Sequence, residues 1–293
     1  MNKYLNEEMT IEERYKFFRS VIKNLTIFDD IFMRKVLEDR ECTEFVLQVI
    51  MDKKDLKIKT HTVETNYTNL EGHSAIMDCV AYDDSGKVYD IEIQKDSDGA
   101  SPKRARYYSS LLDSHHLAPG MDFDKLPESY VIFITAKDTL GYSEPICHID
   151  RIVRETHKSF GDESHIIYVD SSKQNDTQLG RLMQDLHCKE ASKFHSKVLG
   201  ARVARLKERT EDTKEMCKEL NDFVTAATTR AEANGKYQGI LEGRLEGRLE
   251  GESIGKKSMA MRLYEKGTSI DDISDVANVS VAQVEQWLGL QTV

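Results

Sequence analysis

The chain has 293 residues, 31% of them charged and 39% hydrophobic, with only 4 prolines and a formal net charge of -10. That composition suits a soluble, helix-rich intracellular protein better than a membrane or disordered one, and no apolar run approaches the roughly 20 residues that a membrane-spanning helix needs. The acidic balance argues against tight non-specific binding to nucleic acid, which requires clustered lysine and arginine, although it describes the average surface and not a local groove. The amino-terminal MNKYLNEEMTIEERYKFF carries charges through every turn and has no apolar centre, so no signal peptide is expected and the location is read as cytoplasmic. Cys42, Cys79, Cys147, Cys188 and Cys217 are far apart and form no C-x-x-C pair, which excludes a zinc knuckle or a disulfide framework.

From Thr10 to about Met51, apolar residues recur at three- and four-residue spacing without glycine or proline, predicting two helices that meet near Arg40 to Thr43. LKIKTHTVETNYTN then alternates with β-branched residues. SAIMDCVAYDDSGKVYDIEIQK holds two strand-like runs around the turn Asp83 to Lys87, completing a three-strand meander. After the breaker Gly99-Ala100-Ser101-Pro102, KRARYYSSLLDSHHL has a helical repeat with a basic, aromatic start. ESYVIFITAKD reads as a buried strand and SHIIYVDSS as another. Beyond about Thr177 the chain is expected to be helical.

The expected organisation is a domain over residues 1–195, a helical arm over 196–234, a repeat over 235–257 and a tail over 258–293. In the repeat, Gly235, Gly239, Gly243, Gly247, Gly251 and Gly255 fall at every fourth position. As a helix it would align glycines and Leu241, Leu245 and Leu249 in stripes and need a partner, because each glycine costs about 1 kcal/mol relative to alanine; a flexible linker explains it as well. The tail has the rhythm of a helix-turn-helix around Gly267, with helices near Asp271 to Ala277 and Val281 to Leu288. Its second helix has no Lys or Arg, and Asp271, Asp272, Asp275 and Glu285 are acidic, so self-association or simple packing is favoured over reading DNA.

The chemistry sits in the meander. Strand alternation gives Asp90, Glu92 and Gln94 one face of YDIEIQK, and groups Ile76, Asp78, Val80 and Tyr82 apart from Met77, Cys79 and Ala81 on the preceding strand. An acid among such apolar neighbours is costly to bury unless it is paired or binds a cation. Asp78 and Glu92, on adjacent strands, form a pair suited to a hard divalent ion, although spacing alone favours a plain solvated sheet face.

The segment Asp78 to Gln94, followed by KRARYYSSLLDSHHL and YVIFI, and flanked by FDDIFMRKVLED and SHIIYVD, closely resembles the PD-(D/E)XK nuclease family transposases, also called recombination-promoting nucleases. The resemblance covers roughly the first two thirds of the chain. It implies an α/β fold with a restriction-endonuclease-like core of helix, three-strand meander, helix and strand, here with a C-terminal helical extension. It further implies a metal-dependent endonuclease that hydrolyses DNA phosphodiesters with Mg2+ or Mn2+, linked to recombination or mobile elements. Asp78 and Glu92 would be the metal-binding acids. Gln94 would stand where the superfamily has lysine, able to orient water by hydrogen bonds but not to supply charge. Lys95 follows directly and is expected on the opposite strand face.

Arg104 and Tyr107 are the implied substrate-binding pair, the arginine gripping phosphate and the tyrosine stacking on a base or holding the scissile phosphate. Asp30 is a candidate third acid, with Asp29 and Glu38 as rivals; capping explains Asp29 or Asp30 equally well. The alternative reading is a catalytically weak or inactive interaction module that forms homo-oligomers through its C-terminal helices. No motif for nucleotide hydrolysis, serine hydrolysis or zinc proteolysis is present.

Overall fold

The structure, a computed structural model, describes residues 10–68, 73–95 and 97–290. The first residues of the amino-terminal segment and the side chains of Leu241, Leu245 and Leu249 lie outside the described residues. Two compact units divide at residue 221, covering 1–221 and 222–293.

In the first unit the helical start consists of α1 (Ile11–Asn24), α2 (Asp30–Leu37) and α3 (Arg40–Ile50), three helices where two are expected. Local polar side chains account for the breaks. Thr26 donates its N–H and hydroxyl to the Asp29 carboxylate, forming the turn ahead of α2. Asp39 takes the Glu41 N–H and restarts the helix as the cap of α3.

A six-stranded mixed sheet follows, built from β1 (Ile58–Tyr67), β2 (Ala75–Asp83), β3 (Val88–Gln94), β4 (Ser129–Thr135), β5 (Ile146–Ile149) and β8 (Ser164–Asp170) in the order β1-β2-β3-β4-β8-β5. β1, β2 and β3 pair antiparallel in sequence; β3, β4 and β8 run parallel. The parallel step is made by α4 (Pro102–His116), capped by Ser101 and opened by proline at its first turn. Between β4 and β8 the chain adds the edge strand β5 and a small ribbon of β6 (Ile152–Val153) and β7 (Lys158–Ser159), which sequence reading did not anticipate.

α4 covers one face of the sheet through Ala105, Tyr108, Leu111 and Leu112, packed on Val80, Val88, Val131, Phe133 and Tyr168. The unit is completed by α5 (Gln178–His187), α6 (Lys197–Glu208) and the start of α7 (Thr210–Glu265). Buried Lys35 ties α2 to α7 through Glu215 and Glu219; burial opposes its charge, and Glu219 with Glu38 outweighs that and raises its pKa.

In the second unit the remainder of α7, through the glycine repeat, is helical; α8 (Ile270–Ala277) and α9 (Val281–Leu288) follow. Its core is small: Ala260, Ile273 and Val284, with Trp287 and Leu263 packed against them. Among the described residues no helix is long and apolar enough to cross a membrane.

Phe133 is fully buried, stacked on Tyr168 at 5.5 Å between ring centroids and tilted against Tyr108 at 6.0 Å. Phe133→Ala is expected to cost about 3–5 kcal/mol of stability, read from the urea midpoint of the full chain.

Candidate active site

β2 and β3 pair through Val80↔Asp90 and Cys79↔Ile91, and there the backbone ladder stops. One residue on, side chains replace it. Glu92 Oε1 accepts the Asp78 N–H at 2.8 Å, and Asp78 Oδ2 accepts the Ile93 N–H at 3.2 Å. The two acids thus come together at the splayed end of the strand pair, each bonded to the other strand's main chain.

The opposite neighbour of Asp78 is distorted as well. β1 and β2 keep register from Thr60↔Tyr82 to Tyr67↔Ala75, but Glu64, which faces Asp78 in that register, has φ +54°, a left-handed conformation uncommon for a side-chain-bearing residue in a strand. Strict alternation therefore fails at this point. Met77, expected with Cys79, joins Tyr67, Ala75 and Val80 in the core under α4, while Ile76 is left 55% exposed. Asp78 sits at this change of face, within electrostatic reach of Asp30 and Arg34 on α2 and of Arg104 on α4.

Asp90 is a third buried carboxyl, and no role was assigned to it from sequence. Asp90 and Glu92 are both 0% exposed, and neither Asp90 oxygen has a hydrogen-bond partner among the described residues. Burial, reinforced by the neighbouring acids, pushes both carboxyls well above the ordinary range. Burial also pushes Asp78 up to about 6, with Asp30 adding to the rise, and the Ile93 N–H, Arg34 and Arg104 opposing it. The signal available in the sequence was the pairing of Asp90 with Val80 between the apolar residues Tyr89 and Ile91.

Arg104 is aimed at this cluster from α4. Its Nη2 lies 3.7 Å from Glu92 Oε2, while Nη1 donates to the Gly99 carbonyl at 2.8 Å and Nε to the Tyr108 hydroxyl at 3.0 Å. Gln94 Nε2 donates to Glu92 Oε2 at 3.3 Å. Gly99 packs so closely on the Gln94 amide that a Cβ there would collide with Gln94 Oε1. Tyr107 turns elsewhere, its hydroxyl donating to the His73 carbonyl.

An open cavity of about 740 Å3 lies over the junction, lined by Asp78, Gln94, Ile93 and Gly99, by Asp30 and Arg34 of α2, and by Lys95 and Lys137. Glu92, Arg104 and Tyr107 do not line the cavity, Glu92 being bonded to Gln94, which does. Asp30 does, but it bonds Arg34 through both oxygens, at 2.8 and 3.1 Å. Asp29 occupies the cap position of α2 without making a capping bond and instead pairs with Lys95 at 2.5 Å.

Lys95, expected on the opposite strand face, reaches this cavity because β3 ends at Gln94 and alternation no longer holds. Lys137 was not singled out from sequence. It follows β4 by two residues, its carbonyl held by the buried Thr135 hydroxyl at 2.8 Å, and among the described residues its ammonium has no carboxylate partner.

Residues 27–238 match the family model of the PD-(D/E)XK nuclease family transposases. The chain belongs to this family. No curated protein and no solved structure matches it. The match to the PD-(D/E)XK nuclease family transposases spans α2 through much of α7 and so includes every residue of the junction; α1 precedes it.

Among the described residues no three His, Cys, Asp or Glu side chains converge as a metal cage. Asp78 and Glu92 therefore fit a hard ion that takes one or two carboxylates and keeps its waters, as magnesium does, rather than one needing a full protein shell. The orphaned oxygens of Asp90 directly behind them show how little positive charge the protein itself provides there.

A carboxyl whose folded pKa is raised keeps a proton that the unfolded chain has already lost. Its cost to stability is absent below the unfolded pKa, grows as the pH climbs from the unfolded pKa to the folded one and is complete above the folded one. Asp90→Asn keeps the shape without the charge and is expected to stabilise the metal-free protein by about 1–3 kcal/mol at pH 8. That gain should fade as the pH falls below the ordinary carboxylate range, which thermal melts in EDTA across pH would follow.

Proposed function

We propose that this protein is a divalent-metal-dependent endodeoxyribonuclease that nicks DNA by phosphodiester hydrolysis, with Asp78 and Glu92 as the metal-holding pair. The observation that carries the reading is the junction: two acids on splayed strands, cross-braced by main-chain N–H groups, beneath an open cavity edged by lysines. The donors are all oxygens, which suits Mg2+ or Mn2+. A cation held there would draw charge from the phosphodiester and lower the pKa of water.

The remaining steps belong to side chains. Asp78 uses Oδ2 on Ile93, so Oδ1 is the oxygen it can offer to a cation, with Glu92 directly behind it. Gln94 donates through Nε2 to Glu92, leaving Oε1 to accept a hydrogen bond from the attacking water and fix its direction. Phosphate charge falls to Lys137 on the cavity wall, since the Arg104 donors are committed to Gly99, Tyr108 and Glu92 and Lys95 is paired with Asp29. Arg104 is then a positioning residue for Glu92. In the cell such nicks would serve recombination, in keeping with the family's description.

Purified protein with Mn2+ or Mg2+ is expected to nick supercoiled plasmid, and Asp78→Ala to lower the rate by at least about 100-fold. Undiminished cutting by that variant would remove this site from consideration. Gln94→Ala is expected to lose about 10- to 100-fold, and Gly99→Ala a comparable factor by displacing the same amide, with little change in melting temperature.

A second reading, self-association through the C-terminal helix, is favoured by the surface of α7 in the second unit. Gly251, Ile254, Gly255 and Met261 share a helical face; Ile254 is 69% and Met261 44% exposed, and a Cβ at either glycine would meet nothing within 4 Å. If this face joins copies, Ile254→Asp with Met261→Asp should reduce the mass measured by light scattering to that of one chain.

A further inference from the structure

The acidic chain carries one concentrated basic surface away from the candidate active site. α1 places Lys16, Arg19 and Lys23 at positions i, i+3 and i+7, on one stripe of the helix, and all three are exposed. They line an open cavity of about 990 Å3 together with Lys214 of α7, and among the described residues Glu12 is the only acid on its wall. None of these four cations forms an ion pair with a carboxylate among the described residues. Like charges at this helical spacing repel, so the arrangement is unfavourable for the isolated helix.

Three neighbouring acids are committed elsewhere. Glu13 closes the capping box with Thr10, Glu215 pairs with Lys35, and Asp212 faces Arg205. A second cavity of about 230 Å3 shares Tyr15 with the first and adds Arg14 and Lys218, again with no acid on its wall. The Arg14 Nε is buried there without a hydrogen-bond partner. In a chain of net charge -10, these unneutralised cations are concentrated on one surface.

We propose that this α1 surface binds the phosphate backbone of DNA outside the segment being cut. The inference rests on the nuclease reading for the identity of its polyanion. Lys16 and Lys23 stand about 10 Å apart along the helix axis, a linear array suited to the regularly spaced charges of a duplex. Such contacts fix position without reading sequence, and Tyr15 adds a hydroxyl suited to a phosphate oxygen. An anionic membrane is the less suitable partner. An interfacial helix must bury apolar side chains in lipid, whereas Phe18 and Ile22 of α1 are buried in the protein, and its described residues expose no large apolar side chain. The helix also lies outside the matched residues 27–238.

The test is fluorescence anisotropy of the full chain with a labelled 30-base-pair duplex in EDTA, repeated over a range of salt concentrations. The triple variant Lys16→Ala, Arg19→Ala, Lys23→Ala should bind at least about tenfold more weakly at low salt, and the slope of log affinity against log salt should shrink by about 3. Glu12→Lys should shift both readouts in the opposite direction, a gain that misfolding cannot produce. Unchanged affinity and slope in both variants would overturn the proposal, as would loss of binding to phosphatidylserine vesicles with duplex binding intact. Asp78→Ala should still bind the duplex while failing to nick. If instead the wild type binds through α1 but never cuts, the nuclease reading falls and the basic surface stands.

Discussion

The site depends on the exchange of main-chain hydrogen bonds for side-chain ones where β2 leaves β3. A strand pair that simply ended would strand N–H groups at the mouth of a cavity. Here Asp78 and Glu92 take those N–H groups, and in doing so each carboxylate is fixed by the strand opposite its own. The bracing is mutual. Moving either acid breaks a bond on the other strand, so the pair is held as a unit, with far less freedom than two surface acids would have. The left-handed Glu64 alongside shows that the sheet accommodates this local irregularity instead of continuing its regular pleat.

Burial sets the electrostatics that follow. Three carboxyls crowd together at this end of the sheet, and the guanidinium aimed at them stands 3.7 Å from only one oxygen. The cations that line the cavity are mostly spoken for: Arg34 by Asp30 and Glu64, and Lys95 by Asp29. Lys137 is different, because the turn that carries it is held by a buried threonine hydroxyl on its carbonyl, leaving its ammonium toward the cavity. Carboxylates short of positive charge near an unpaired lysine are the basis of the proposal that a metal binds beside the acids and an anion at the cavity wall.

Much of this was legible in the sequence, and the parts that were not have physical causes. Period-two runs located the three meander strands, because a half-buried strand must alternate, and the serine and proline ahead of α4 announced its start. Alternation could not reveal that Met77 and Cys79 pack on different sides, since the switch depends on the backbone angle at Glu64, a residue on another strand. It likewise misplaced Lys95, which lies beyond the last strand residue. Arg104 attracted attention as a charge on a helix beside aromatic residues, but its donors are claimed by a carbonyl and a hydroxyl visible only in three dimensions. Lys137 carries no sequence signal: one lysine in a loop after an apolar strand is indistinguishable from a solvated one.

The glutamine at position 94 ties these observations together. A lysine there would place an ammonium two residues along the strand from Glu92, and it would neutralise part of the acid cluster from within. The amide does not. It bonds Glu92 at 3.3 Å and adds no positive charge to the junction, and it lacks a group able to take a proton from water. Water activation and charge compensation, which a single lysine can combine, are therefore separated in this chain. Orientation stays with Gln94, held in position by the close approach of Gly99, and positive charge moves out to the ends of β3 and β4, where Lys95 and Lys137 stand at the carboxyl ends of two parallel strands. That is where an open parallel sheet presents its ligands, and in the proposed nuclease it would place the protein's charge beside a phosphate instead of against its own carboxylates.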